Sequence, residues 1–128
     1  MLELLRQACV RLGLDGIASR PANYHNALVA AREFRHLYPE AEGRFRAIRR
    51  AIGRRTMLEA TRAVDRGELR TGAGETQTWI PGVQLAPGSE RCVRYFESKE
   101  FSEASNLAYE EWRAKKLQLT DEPSPRNA

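Results

Sequence analysis

Two changes of pattern along the chain predict an α+β fold: an N-terminal bundle of three or four helices, then a short antiparallel β-sheet packed on a C-terminal helix. Over residues 1–70 apolar side chains recur at helical spacing, whereas from Arg70 to Phe96 Gly, Pro and β-favouring residues replace that period, and from Phe101 to Trp112 it returns. A chain of 128 residues supports one modest core and excludes a multidomain enzyme. The expected organisation is a helical region with an Arg-rich helix at 1–70, a linker at 71–76, a small sheet-plus-helix unit at 77–118 and a flexible tail at 119–128.

Leu2, Leu5, Cys9 and Leu12 share one face of a first helix that should end at Gly13. Ser19 before Arg20-Pro21 has the form of an N-cap for a second helix running to about Tyr38, with Tyr24, Ala27, Leu28, Ala31 and Phe34 buried and Pro39 closing it. A third helix begins at Glu40 and buries Phe45, Ile48 and Ile52. After Gly53 the apolar set rotates to Met57, Ala60 and Val64, and Thr56-Met57-Leu58-Glu59 has the capping-box form, so a fresh helix to Gly67 is the economical reading. One long helix with a tolerated glycine is the rival. A turn at Gly53 also gives a helix-turn-helix outline, but Glu59 falls where that unit expects an aliphatic residue.

In the second half, Gln77–Ile80 and Gly82–Leu85 read as short extended segments, Ala86-Pro87-Gly88-Ser89 as a turn, and Arg91–Phe96 as a strand. Its alternation places Cys92, Arg94 and Phe96 on one face and Arg91, Val93 and Tyr95 on the other. The final helix, capped by Ser102, should align Phe101, Ala104, Ala108 and Trp112, with Leu107 beside them. Two prolines and no periodicity predict fraying from Thr120 onward.

Charge carries the functional signal. Of 21 basic residues 18 are Arg, and residues 1–70 hold 14 Arg against 8 acids while residues 71–128 hold 7 bases against 9 acids. Six of the arginines, Arg44, Arg46, Arg49, Arg50, Arg54 and Arg55, fall within twelve residues that contain no acid. On a helix, Arg46, Arg50 and Arg54 form an i, i+4, i+8 ridge flanking the apolar stripe, where like charges repel by a few tenths of a kcal/mol per pair unless an anion offsets them. Three readings stand open. The ridge contacts nucleic-acid phosphates, for which the planar guanidinium fork is well suited; or it is a solvated face paired with Glu40, Glu42, Glu59 or acids of the last helix; or it docks on an acidic protein surface, as a small inhibitor or adaptor of the sort mobile elements carry would do. Arg-for-Lys preference also follows from a GC-rich genome, so clustering counts for more than abundance.

The residues Gly82-Val83-Gln84-Leu85, the segment Arg91–Phe96, Lys99-Glu100-Phe101, Glu103-Ala104 and Leu107–Arg113 together resemble the AP2-type DNA-binding domain over residues 82–116. That resemblance implies a three-stranded sheet on one helix, with the open sheet face laid in the major groove. Carried over by position, it implies DNA contacts from Gln84, Arg91, Arg94 and Lys99, with Trp79 just upstream. Trp79 and Tyr95 otherwise read as core aromatics, as does Trp112.

Other chemistry finds little support. His25 and His36 sit eleven residues apart on the expected second helix, about 16 Å along its axis, too far to share a metal. His36 beside Glu33 or Glu40 lacks an accompanying nucleophile or paired carboxylate, and Gly72-Ala73-Gly74 lacks the Gly-Lys-Ser/Thr of a phosphate loop. Cys9 and Cys92 form no zinc motif and read as small core residues. No catalytic residue, cofactor or metal is expected; were there activity, the basic surface would suit a nuclease. The absence of an apolar run long enough for a membrane span or a leader core leads to the expectation of a cytoplasmic regulatory or accessory protein that binds double-stranded DNA ahead of RNA.

Overall fold

The computed structural model describes residues 4, 7, 8 and 11–120. Within them lie five helices and five short strands, in the order β1 (Gly16–Ser19), α1 (Tyr24–Ala30), β2 (Arg35–His36), α2 (Pro39–Ile52), α3 (Met57–Asp65), β3 (Leu69–Arg70), β4 (Gln84–Pro87), α4 (Glu90–Glu97), α5 (Lys99–Ala114) and β5 (Gln118–Leu119). The mixed helix-and-sheet class is as the pattern predicts. The arrangement differs, because β4 recruits both its partners from the first 70 residues: the sheet order is β1-β4-β2, antiparallel throughout. A second ribbon pairs β3 with β5.

Sheet pairing explains why the second helix is shorter than its apolar stripe. It spans only Tyr24–Ala30, capped by Asn23, whose side-chain oxygen accepts the Asn26 amide at 3.0 Å. Ser19, expected as that cap, lies instead in β1 opposite Gln84. Arg35 and His36 leave the helical pattern to satisfy the other edge of β4, with His36 opposite Gln84. The proline rule operates in the opposite sense to the one expected. Tyr38 is extended (φ −94°, ψ 129°), as a residue before proline prefers, and Pro39 opens α2 rather than closing α1.

At Gly53 the chain breaks between two helices. Gly53 has φ +64°, a left-handed conformation that costs glycine little, and the capping box is complete: Thr56 Oγ1 accepts the Glu59 amide at 3.2 Å while Glu59 Oε2 accepts the Thr56 amide at 3.4 Å. Phe45, Ile48 and Ile52 from α2, Ala60 and Val64 from α3, Tyr24 and Ala27 from α1, and Leu69 form the main core. Met57, expected among them, is exposed.

The largest departure is Arg91–Phe96, which is helix α4 rather than a strand. Ser89 caps it by accepting the Cys92 amide at 3.1 Å, and Cys92 and Phe96, four residues apart, are buried while Arg94 between them is exposed. A period of four with a good cap outweighs β-favouring composition. Ala86 and Pro87, expected in a turn, belong to β4, and residues 77–80 form no strand. The last helix is capped one turn earlier than Ser102: Ser98 Oγ accepts the Phe101 amide at 3.1 Å and also ends α4. Phe101 and Ala108 are buried and Trp112 is half-buried, whereas Leu107 faces solvent. Leu2, Leu5 and Cys9 of the expected first helix lie outside the described residues, as does most of the expected tail; Leu12 is exposed, and Gly13 has φ +69°.

Helices α2 and α5 make the most extensive packing in the fold, with Gly43 in the first half of α2 against Ser105 and Ala108, and Ala47, Arg50 and Ala51 in its last turns sharing a groove with Arg113, Lys116 and Leu117 at the end of α5. The two helices therefore run parallel. Gly43 makes the close approach possible: a Cβ there would stand 2.5 Å from the Ser105 carbonyl oxygen and 2.6 Å from Ala108 Cβ. No helix among the described residues is long and apolar enough to cross a membrane.

Candidate nucleic-acid interface

Helix α2 carries Arg44, Arg46, Arg49 and Arg50, and Arg54 and Arg55 follow in the turn after Gly53, off the expected Arg46–Arg50–Arg54 ridge. Its buried stripe, Phe45, Ala47, Ile48 and Ile52, faces the core, so residues at intermediate angles meet α5 and the rest face solvent. Arg44 lies along the α5 side, donating to the Thr78 carbonyl at 2.9 Å with its guanidinium 4.9 Å from the Trp112 ring centre. Burial pushes its guanidinium below the ordinary arginine range, and its Nε has no partner. Arg46 donates to Asn106 Oδ1 at 2.8 Å and covers Tyr109 at 4.6 Å, while Arg50 donates to the Tyr109 hydroxyl at 2.8 Å. That hydroxyl holds the Arg50 guanidinium above its usual range. Arg55 donates to the Ile52 carbonyl at the end of α2, and the side chains of Arg49 and Arg54 make neither hydrogen bond nor ion pair among the described residues.

None of the six has an acidic partner within ion-pair distance among the described residues. Two of the acids expected to neutralise them are otherwise engaged, and Glu110 of the last helix acts on Arg50 only through its charge. Glu59 completes the α3 capping box, and Glu42 accepts from His36 Nδ1 at 3.2 Å and from the His36 amide at 3.3 Å. The expected partners of His36, Glu33 and Glu40, are replaced by this pair. Desolvation works to raise the Glu42 carboxyl, but the hydrogen bond and charge of His36 together with its backbone amide hold it below the usual range. His25 and His36 lie on different elements, α1 and β2, and no three His, Cys, Asp or Glu side chains converge to hold a metal among the described residues.

Of the second-half candidates, the three charged ones each pair with an acid. Arg91 makes a short two-pronged contact with Asp15, which lowers the Asp15 carboxyl, chiefly through that hydrogen bond. Arg94 meets Glu90 at 3.3 Å and Lys99 meets Glu103 at 3.6 Å. Gln84 is fully buried and donates to the Ala27 carbonyl, and Trp79 packs on Tyr24 and Phe45 with its indole N–H on the Pro21 carbonyl at 3.1 Å. Cys92 is buried, and its thiol is pushed up by that burial.

Sequence reasoning missed the α5 side of the surface. Between the ends of α2 and α5 runs a groove of about 230 Å³ lined by Ala47, Arg50, Ala51, Arg113, Lys116 and Leu117. It continues past Lys116 to a shallow hollow walled by Thr71, Gly72, Ala73, Glu75, Ala114 and Lys115. The adjacent Lys115-Lys116 after a helix end was the only local signal; that both helices end together is a tertiary fact. Compared with family models, with curated proteins and with solved structures, the chain matches none. The AP2-type likeness therefore rests on its motif residues alone, and the Arg91–Phe96 segment that it places in a strand is helical.

Proposed function

We propose that the protein is a small nucleic-acid-binding factor, regulatory or accessory in role, that takes duplex DNA ahead of RNA and grips its phosphates with the arginines of α2 and the turn that follows. The single observation that carries this reading is the lack of an acidic partner for any of the six guanidiniums, whereas Arg91, Arg94 and Lys99 each have one. Six clustered cations with no ion pair repel one another, with Glu110 offsetting this only at Arg50, and a polyanion removes that cost while releasing its own condensed counterions. The arginines divide the work. Arg46 and Arg50 spend part of their hydrogen-bonding capacity on α5 and Arg44 on the Thr78 carbonyl, which orients them, and the side chains of Arg49 and Arg54 make no hydrogen bond or ion pair among the described residues.

Fluorescence anisotropy of a labelled duplex across a salt series tests this. Arg49→Gln with Arg54→Gln leaves folding unchanged and reduces the salt slope by about 1.8, at roughly 0.9 per phosphate contact. Failure of the unaltered protein to bind any duplex or single strand at low salt defeats the reading, and recovery of an acidic protein in nuclease-treated pull-downs would then favour the docking alternative.

A further inference from the structure

Lys116 is the one non-glycine residue with positive φ among the described residues, at +55°. It stands one position past the C-cap Lys115 of α5, where glycine is favoured because a Cβ disfavours the left-handed turn. A lysine here costs the fold stability that glycine would not. Its side chain lies against Gly72, whose missing Cβ would meet Lys116 Cβ at 3.1 Å, and the Gly72 amide donates to the Lys115 carbonyl at 2.8 Å. The 70–76 loop thus fastens the helix end and the Lys116 stem in place.

From this placement we infer that the groove where α2 and α5 end together, lined by Arg50, Arg113 and Lys116, seats a phosphate of the nucleic-acid backbone. The floor is small and apolar, Ala47, Ala51 and Leu117, and the cations rise around it. Arg50 uses one nitrogen on Tyr109 and keeps its other donors; Arg113 shares its charge with Glu110 at 3.2 Å; Lys116 has no ion pair among the described residues. Two helix C-termini oppose an anion with about half a negative charge each. Their effect is reduced because the last α5 carbonyls are already bonded: Trp112 by the Lys115 amide, Arg113 by the Lys116 amide and Lys115 by Gly72. Three cations against Glu110 and the two dipoles leave about one net positive charge, which suits a singly charged phosphodiester better than a dianion.

This inference rests on the nucleic-acid reading for the source of the phosphate, and two probes separate them. The full chain is titrated with a labelled duplex by anisotropy and with dimethyl phosphate alone by amide NMR, using Lys116→Gly, Arg113→Gln and, as a control, Arg32→Gln, an exposed arginine that does not line the groove. Lys116→Gly is expected to raise the melting temperature while weakening duplex binding about eightfold at 0.1 M salt and lowering the salt slope by about 0.9. Arg113→Gln weakens binding in the same direction, Arg32→Gln does not, and dimethyl phosphate shifts the Ala51, Gly72 and Lys116 amides in the unaltered protein only. Duplex binding unchanged in both groove variants, with no phosphate-induced shifts, overturns the groove and leaves the α2 reading standing. Shifts that vanish in Lys116→Gly from a protein that binds no duplex or single strand support the phosphate seat and defeat the nucleic-acid source.

Discussion

Replacing Gly43 with alanine separates helix propensity from packing, because the two act in opposite directions. In the middle of α2, removing a glycine favours the helix by about 1 kcal/mol on propensity alone. Against this, the new methyl would stand 2.5 Å from the Ser105 carbonyl oxygen, 2.6 Å from Ala108 Cβ and 2.6 Å from the Tyr109 amide nitrogen. Two of those three atoms are backbone, so relief requires the helices to part rather than a side chain to turn. Overpacking of a tight site costs about 1–3 kcal/mol, and a contact this short with helix backbone belongs at the upper end. The expected net loss is about 1–2 kcal/mol, read as a lower urea midpoint with unchanged slope by circular dichroism at 222 nm, with a fall in melting temperature of several degrees. Ala108→Gly in the same chain relieves one of the three contacts but costs about 1 kcal/mol of helix propensity itself, so it recovers little of the loss. A Gly43→Ala protein as stable as the parent would refute the close parallel crossing of α2 and α5, and with it the groove those helices enclose.

Other outcomes follow from the same geometry. Ser98→Ala removes the acceptor for the Phe101 amide and should cost about 1 kcal/mol, whereas Ser102→Ala, inside the helix, should cost little in the same urea titration. The Glu42 carboxyl is held below its ordinary 4.5, so the folded state binds fewer protons than the unfolded; the stability this contributes is complete above that value and is lost as pH falls through the folded pKa. Glu42→Gln should therefore cost about 1–3 kcal/mol at neutral pH and flatten the acid limb of the stability profile, and an unchanged acid limb would exclude the His36–Glu42 pair as its source. Gly53→Ala places a Cβ at φ +64° and should destabilise the turn by about 1 kcal/mol, measured by thermal melting, although nothing but the Arg50 carbonyl at 4.0 Å lies near it.

Local signals were legible wherever a few consecutive residues settle the backbone. The Thr56–Glu59 box, the break at Gly53 and the Phe45, Ile48, Ile52 stripe needed no partner from elsewhere in the chain. Two misreadings have different causes. Arg91–Phe96 has strand-favouring composition, but Ser89 as a cap and Cys92 with Phe96 at helical spacing decide it; the second helix had a convincing stripe, but Arg35 and His36 were needed by β4. In the first case a local cap and a period of four outweigh composition, and in the second long-range pairing overrides a local stripe.

The arginine segment follows the same division. That six guanidiniums share twelve residues without an acid is a property of the sequence; the break at Gly53 leaves Arg44, Arg46, Arg49 and Arg50 on α2 and puts Arg54 and Arg55 in the turn, so Arg54 does not extend the expected Arg46–Arg50 ridge. Which of them are spent on Thr78, Asn106, Tyr109 and Trp112, which acids are taken up by His36 and the α3 cap, and that Arg50 meets Arg113 and Lys116 at one groove are facts of tertiary structure. They depend on α2 and α5, some sixty residues apart, crossing closely at a glycine. No local rule of spacing or propensity contains that distance.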